Sequence, residues 1–133
     1  MFKVHQKQHA AVAERAFVER LENHVAEDIL RRRVSAEERS RLPIRAMVEH
    51  GLVVARTYGL ETERDLMLFV LNMITINPEW HHHPKINAIL TDSTLSRPAR
   101  REKLLTDVTD DEWEEAGVMV DEDEYWSRAL PAS

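Results

Sequence analysis

An all-α fold follows from three features of this sequence. Apolar residues recur at steps of three and four through most of the chain. Helix start signals fall at short intervals between the periodic stretches: Ser35 before Glu38, Thr62 before Asp65, Ser96 before Pro98 and Thr109 before Glu112. With three Gly and five Pro, the chain has too few turn residues for a sandwich of short strands. At 133 residues it is long enough for one hydrophobic core and too short for two comfortable domains. The expected architecture is a single compact bundle of five to seven helices around a central helical hairpin, about 44–57 and 63–76. Residues 1–117 form the helical domain, and 118–133 form an acidic, aromatic-containing tail packed on that domain or on a partner.

The first helix is expected over about residues 3–33, with Ala10, Ala13, Phe17, Leu21, Val25 and Ile29 on one stripe. Arg31, Arg32 and Arg33 close it, where cations meet the negative end of the helix dipole. Ser35 and Glu38 form a capping box for a short helix that Pro43 ends. Pro43 opens the next helix, whose inner face carries Ile44, Met47, Val48, Gly51, Leu52 and Ala55. Gly51 on an apolar face predicts close approach of another helix. Tyr58-Gly59 stops the helix and Thr62 caps its successor, so the two arms form an antiparallel hairpin. In the second arm Leu66, Phe69, Val70, Met73 and Ile74 face one way. Met67, Leu68, Leu71 and Ile76 widen the apolar surface nearly all round, which predicts the most buried helix. Asn77-Pro78 breaks it, and Trp80 to Pro84 reads as a loop. Short helices follow, with Ile86, Ile89 and Leu90, then Leu104-Leu105, then Trp113 and Ala116 turned inward.

Composition excludes several kinds of chemistry. The chain has no Cys, hence no disulfide scaffold, thiolate metal site or thiol nucleophile. No run approaches the roughly 18 apolar residues of a membrane span, and Met1 is followed by no charged-then-apolar leader, so the expected location is cytoplasmic. The formal net charge of -6 is unevenly spread: residues 107–133 carry ten acids against Arg128 alone. Such an end either folds back on the more basic body or faces a basic partner.

Three groups of residues are candidates for chemistry. His81-His82-His83 offers good metal ligands, but adjacent residues diverge and a closed site draws ligands from separated positions. His5 and His9 have the spacing of two ligands on one helix face without a glutamate of the metalloprotease type. Glu61, Glu63 and Asp65 sit at a helix start, where the dipole favours acids, and Glu49-His50 lies beside a core face. There is no phosphate-binding glycine loop and no nucleophile elbow. The reading is of a non-enzymatic protein with no catalytic residue, no metal and no cofactor. A nucleic-acid-associated regulator is the alternative, through Arg31–Arg33, Arg39, Arg41 and Arg45 at one joint and Arg97, Arg100, Arg101 and Lys103 at another. The acidic tail and a pI near 5.6 oppose phosphate binding. A metal-dependent enzyme at His81–His83 ranks below that.

The sequence Ala55-Arg56-Thr57-Tyr58-Gly59, then Thr62-Glu63-Arg64-Asp65, the apolar helix to Ile76, and Pro84 followed by Ile89-Leu90-x-Asp92 resembles one family. It is that of small helical bacterial proteins encoded beside type VI secretion spike and effector genes, and the likeness covers roughly residues 44–104. His81–His83 departs from the acidic turn that the family carries before Pro84. The resemblance implies an accessory protein, an adaptor or chaperone for a secretion effector or spike component, and no catalytic residues. Together with the absent catalytic motifs it gives a protein-binding function. Trp113, Val118, Met119, Val120, Tyr125 and Trp126 are the expected docking residues, because aromatic and Met side chains dominate interface energetics.

Overall fold

A computed structural model describes the backbone of residues 2–131 and the side chains of residues 9–131. His5 lies outside the described side chains. Among the described residues there are eight α-helices and no strand. The chain divides into two compact units, Met1–His50 and Gly51–Ser133. No helix among the described residues is long and apolar enough to cross a membrane.

In the first unit, α1 (Phe2–His24) buries Phe17 and Leu21, and Val25 follows them as a fully buried residue. Ala10 and Ala13, expected on the same stripe, are exposed. The single helix predicted over 3–33 is interrupted. Val25–Ile29 form a π turn, in which the Leu30 N–H bonds back to the Val25 carbonyl, and Leu30–Arg32 form a 3-10 turn. A π turn holds one more residue than an α turn. Beside the buried Val18, the buried positions one turn apart run 17, 21, 25 and 30, and Leu30 takes the place the regular spacing gave to Ile29. Next, the Ser35 hydroxyl accepts the Glu38 N–H at 3.1 Å and starts α2 (Ala36–Arg41). Leu42 is extended (ψ 133°), as a residue before proline is driven to be. Pro43 then leads into α3 (Ile44–Thr57), its carbonyl accepting the Met47 N–H at 3.0 Å.

In the second unit, Gly59 has φ +77° and ends α3. The Thr62 hydroxyl accepts the Asp65 N–H at 3.1 Å to start α4 (Glu63–Thr75). A Cβ on Gly51 would lie 3.0 and 3.2 Å from the Val70 methyls and 3.4 Å from the Met73 sulfur. That is the close approach expected of a glycine on an apolar face. The five inward residues of α4, Leu66, Phe69, Val70, Met73 and Ile74, are buried as read. Burial all round does not follow, however: Leu68 is 39% exposed, and Met67, Leu71 and Ile76 are half-buried. The helix also buries a charge, Asp65, whose Oδ1 lies 3.4 Å from Arg101 Nε. Glu61 pairs with Arg97 at 3.7 Å. Acids four apart thus meet arginines four apart on α6 (Arg97–Thr106), which Ser96 caps through the Ala99 N–H. Between these helices stand a 3-10 turn, Trp80–His82, and α5 (Pro84–Leu90), which buries Ile86, Ile89 and Leu90. On α6, Leu105 is not inside but 82% exposed; Val108, just past the helix end, is buried instead. Thr109 and Glu112 make both bonds of a capping box at the start of α7 (Asp110–Ala116). The tail contains a further helix, α8 (Glu122–Ala129), capped by Asp121, and this takes the number of α-helices past seven.

The Gly51 contact gives a stability prediction. Alanine gains roughly 1 kcal/mol of helix propensity, but its methyl would press on the fully buried, rotamer-restricted Val70, where overpacking costs about 1–3 kcal/mol. Gly51→Ala is expected to lower the urea midpoint, by about 1 kcal/mol in stability. A midpoint raised by the full propensity gain would show that no close approach exists there.

Candidate protein-docking site

The histidine triplet has three separate fates. The 3-10 turn carries Trp80 and His81 into the interior, His82 outward and His83 into the first position before α5. His81 is buried, with Nδ1 2.8 Å from the Tyr58 hydroxyl and Nε2 3.2 Å from the Pro78 carbonyl. A carbonyl only accepts, so Nε2 carries the proton and Nδ1 accepts from the Tyr58 O–H. The Asn87 amide closes the network by donating to Tyr58 Oη and to the His81 carbonyl, both at 3.1 Å. Phe69, Trp80 and Tyr58 surround the ring. Burial, with the neighbouring His82, holds His81 down to about 4, while burial pushes the Tyr58 phenol up. His82 lies 3.6 Å from Glu79 at the surface. His83 accepts the Lys85 N–H on Nδ1 at 3.2 Å, as the cap of α5, and turns Nε2 toward Glu115 at 3.8 Å. Among the described residues no three His, Asp or Glu side chains converge to hold a metal.

On the His83 side lies a cleft of about 620 Å³. Its walls are His83, Pro84 and Lys85 from the start of α5, Glu112 and Glu115 from α7, and Val118 and Met119 from the segment that follows α7. That segment is held by one buried amide. Asn77, 1% exposed, donates to the Val120 carbonyl at 2.9 Å and the Gly117 carbonyl at 3.2 Å, and its Oδ1 accepts the Glu79 N–H at 3.0 Å. The backbone of 117–120 is thereby fixed while Val118 stays 79% exposed. Glu112 is held below the usual carboxylate range, first by the Thr109 N–H.

The six residues expected to dock a partner divide into three groups. Val118 and Met119 line the cleft. Trp113 is half-buried and stacks on Trp80 with ring centroids 6.1 Å apart at 25°, so its indole serves the interior; Val120 likewise offers its carbonyl to Asn77. Tyr125 and Trp126 meet edge-on at 5.1 Å on α8, both half-buried, and burial with Glu79 nearby pushes the Tyr125 phenol up. Sequence reasoning missed Lys85, Glu112, Glu115 and Asn77 as members of the site, and weighed His83 only as a metal ligand. Among the missed residues Asn77 carried a signal as a helix-breaking Asn-Pro after an apolar helix, and Glu112 as the third residue of a capping box.

The arginine clusters are largely engaged. Arg45 bonds Glu22 at 3.2 Å, Arg41 lies 3.6 Å from Glu37, and Arg39 donates to the Val34 carbonyl. Arg97 pairs with Glu61 and Arg101 with Asp65, Arg100 donates to the Asp92 carbonyl, and Lys103 lies 3.9 Å from Asp107. Glu49 is exposed and His50 half-buried, with the His50 ring shifted down by burial. No family model, curated protein or solved structure matches the chain.

Two predictions test this geometry. Removing the Asn77 amide orphans carbonyls that it satisfies, at a cost of about 1–3 kcal/mol. Asn77→Ala should lower stability by about 2 kcal/mol and speed cleavage by a glutamate-specific protease within Glu122–Glu124; unchanged cleavage would mean the segment is fixed otherwise. His81 takes its proton in the folded chain only near pH 4, against 6.5 when unfolded, so on acidification the unfolded chain protonates first. Its contribution is complete above about 6.5 and is lost as the pH falls toward 4, about 2 kcal/mol between pH 7 and pH 5. An imidazole titration by NMR with a His81 midpoint near 6.5 would contradict it.

Proposed function

We propose that this chain is a non-catalytic protein-binding protein that docks its partner through the cleft bounded by Val118 and Met119. One observation carries the reading: a large aliphatic side chain is 79% exposed beside a sizeable cleft, on backbone fixed from within by Asn77. Isolated exposed apolar residues are ordinary on a protein surface. An exposed valine and a methionine lining one concavity, on a pre-ordered segment, is what a docking site requires, since ordering costs are met before binding. His81 is neutral at pH 7 and locked on both ring nitrogens, which supports a structural role for it. On the resemblance over residues 44–104, the partner is a type VI secretion effector or spike component, and the chain is its adaptor or chaperone in the cytoplasm.

Val118→Asp puts a charge where the side chain is already in water, so the fold should be unaffected within about 0.5 kcal/mol. Affinity capture from the cells that make the protein should recover a partner with the unaltered chain and lose it with Val118→Asp. Leu105→Asp, at another exposed aliphatic side chain, should retain it. Equal recovery with both variants would sink the proposed site.

A further inference from the structure

The polar wall of the cleft is as specific as its apolar one. His83 is 6% exposed, yet one of its ring nitrogens has no hydrogen-bond acceptor among the described residues. Because Nδ1 accepts the Lys85 N–H, the imidazole proton resides on Nε2. That N–H lies 3.8 Å from Glu115 Oε2, beyond hydrogen-bond reach. The donor belongs to a buried ring, is fixed in tautomer by the α5 cap and reaches the solvent of the cleft, so it is open to an acceptor brought by a ligand. The lining also has an aliphatic part, through Val118 and Met119. Glu115 is 65% exposed and pairs with nothing closer than His83 among the described residues, and Glu112 stands beside it. Among the residues lining the cleft Lys85 is the one fixed cation, against a carboxyl-terminal stretch of ten acids and one arginine over residues 107–133.

We propose, on the docking reading of this cleft, that it binds a peptide segment of the partner in which an aliphatic side chain neighbours a lysine or arginine. The aliphatic group packs on Val118 and Met119. A backbone carbonyl of the segment accepts from His83 Nε2–H, and the cation meets Glu115 and Glu112. The excess of acids around the site favours cationic segments at encounter and disfavours acidic ones. A peptide segment supplies all three features from neighbouring residues, with an acceptor carbonyl that brings no charge toward Glu112 and Glu115.

The test is a selection from a displayed library of random dodecapeptides against the full chain. Enriched sequences should carry an aliphatic residue within two positions of Lys or Arg. Synthetic versions should bind the unaltered chain and lose about tenfold in affinity to His83→Asn, roughly the worth of one hydrogen bond. An asparagine side chain is itself a strong helix cap, so this variant keeps the acceptor for the Lys85 N–H while withdrawing the distal donor. Its melting temperature should match that of the parent. Glu115→Gln should weaken the same peptides and flatten their salt dependence. In a long-range nitrogen–proton spectrum His83 should appear as the Nε2–H tautomer, with that proton shifting on peptide addition. Enrichment of acidic or uncharged sequences, no enrichment at all, full affinity in His83→Asn, or a Nδ1–H tautomer would each overturn the proposal. If capture of a partner remains sensitive to Val118→Asp in such a case, docking at the cleft stands and only the peptide chemistry fails.

Discussion

The second unit depends on a single buried side chain, Asn77. It ends the most apolar helix of the chain, and its amide is fully used: two donations to the carbonyls of Gly117 and Val120, one acceptance from Glu79. The two donations span 40 and 43 residues of sequence and are made at a partly buried site, where unsatisfied carbonyls cost stability. An apolar residue at this position would leave both carbonyls bare, and a charged one would bury a charge. The consequence is that a helix terminus, a 3-10 turn and the carboxyl-terminal segment share one fixed point. Around it the aromatic rings of Phe69, Trp80, His81 and Trp113 close the interior, with centroids 5.1 to 6.1 Å apart, the range in which tilted and stacked pairs attract.

His81 extends this logic with polar atoms. A histidine so deeply placed is tolerated because each of its ring nitrogens has one partner of the right kind, Tyr58 or Pro78, and Asn87 fixes the tyrosine. A satisfied buried network specifies one arrangement of its elements more sharply than an apolar cluster does. By contrast, Asp65 and Arg101 meet at 3.4 Å without hydrogen-bond alignment, a contact that holds two charges together without fixing an angle. Trp80 Nε1 is buried with no hydrogen-bond partner among the described residues, so this indole serves the core through its rings alone.

Much of the helical organisation was legible because it is written locally. Caps at Ser35, Thr62, Ser96 and Thr109 need only a hydroxyl three residues before an N–H, and each makes that bond. The inner faces of α3 and α4 likewise follow from spacing alone. What spacing misses is context. Leu68 and Leu105 are as apolar as their buried neighbours, but they are left exposed among the described residues. Of the residues expected to dock a partner, Val118 and Met119 line the cleft, whereas Trp113, chosen for its aromatic surface, stacks that surface on Trp80. The polar side of the site was not legible, because His83, Glu112 and Glu115 come together only where α7 packs beside the start of α5. Two of the three histidines that suggested a metal instead proved to be a core residue and a helix cap.

The π turn at Val25–Ile29 changes how the end of the first helix should be understood. One additional residue in a helical turn rotates everything beyond it by roughly 100° about the axis. Leu30 gains its buried place through that rotation, and Arg31, Arg32 and Arg33, all exposed, are swung with it. The direction in which this cationic edge points is therefore set by a phase shift in the backbone, not by the arginines themselves. A chain of the same composition, shorter by one residue in that turn, would present the same charge to a different quarter of the solvent.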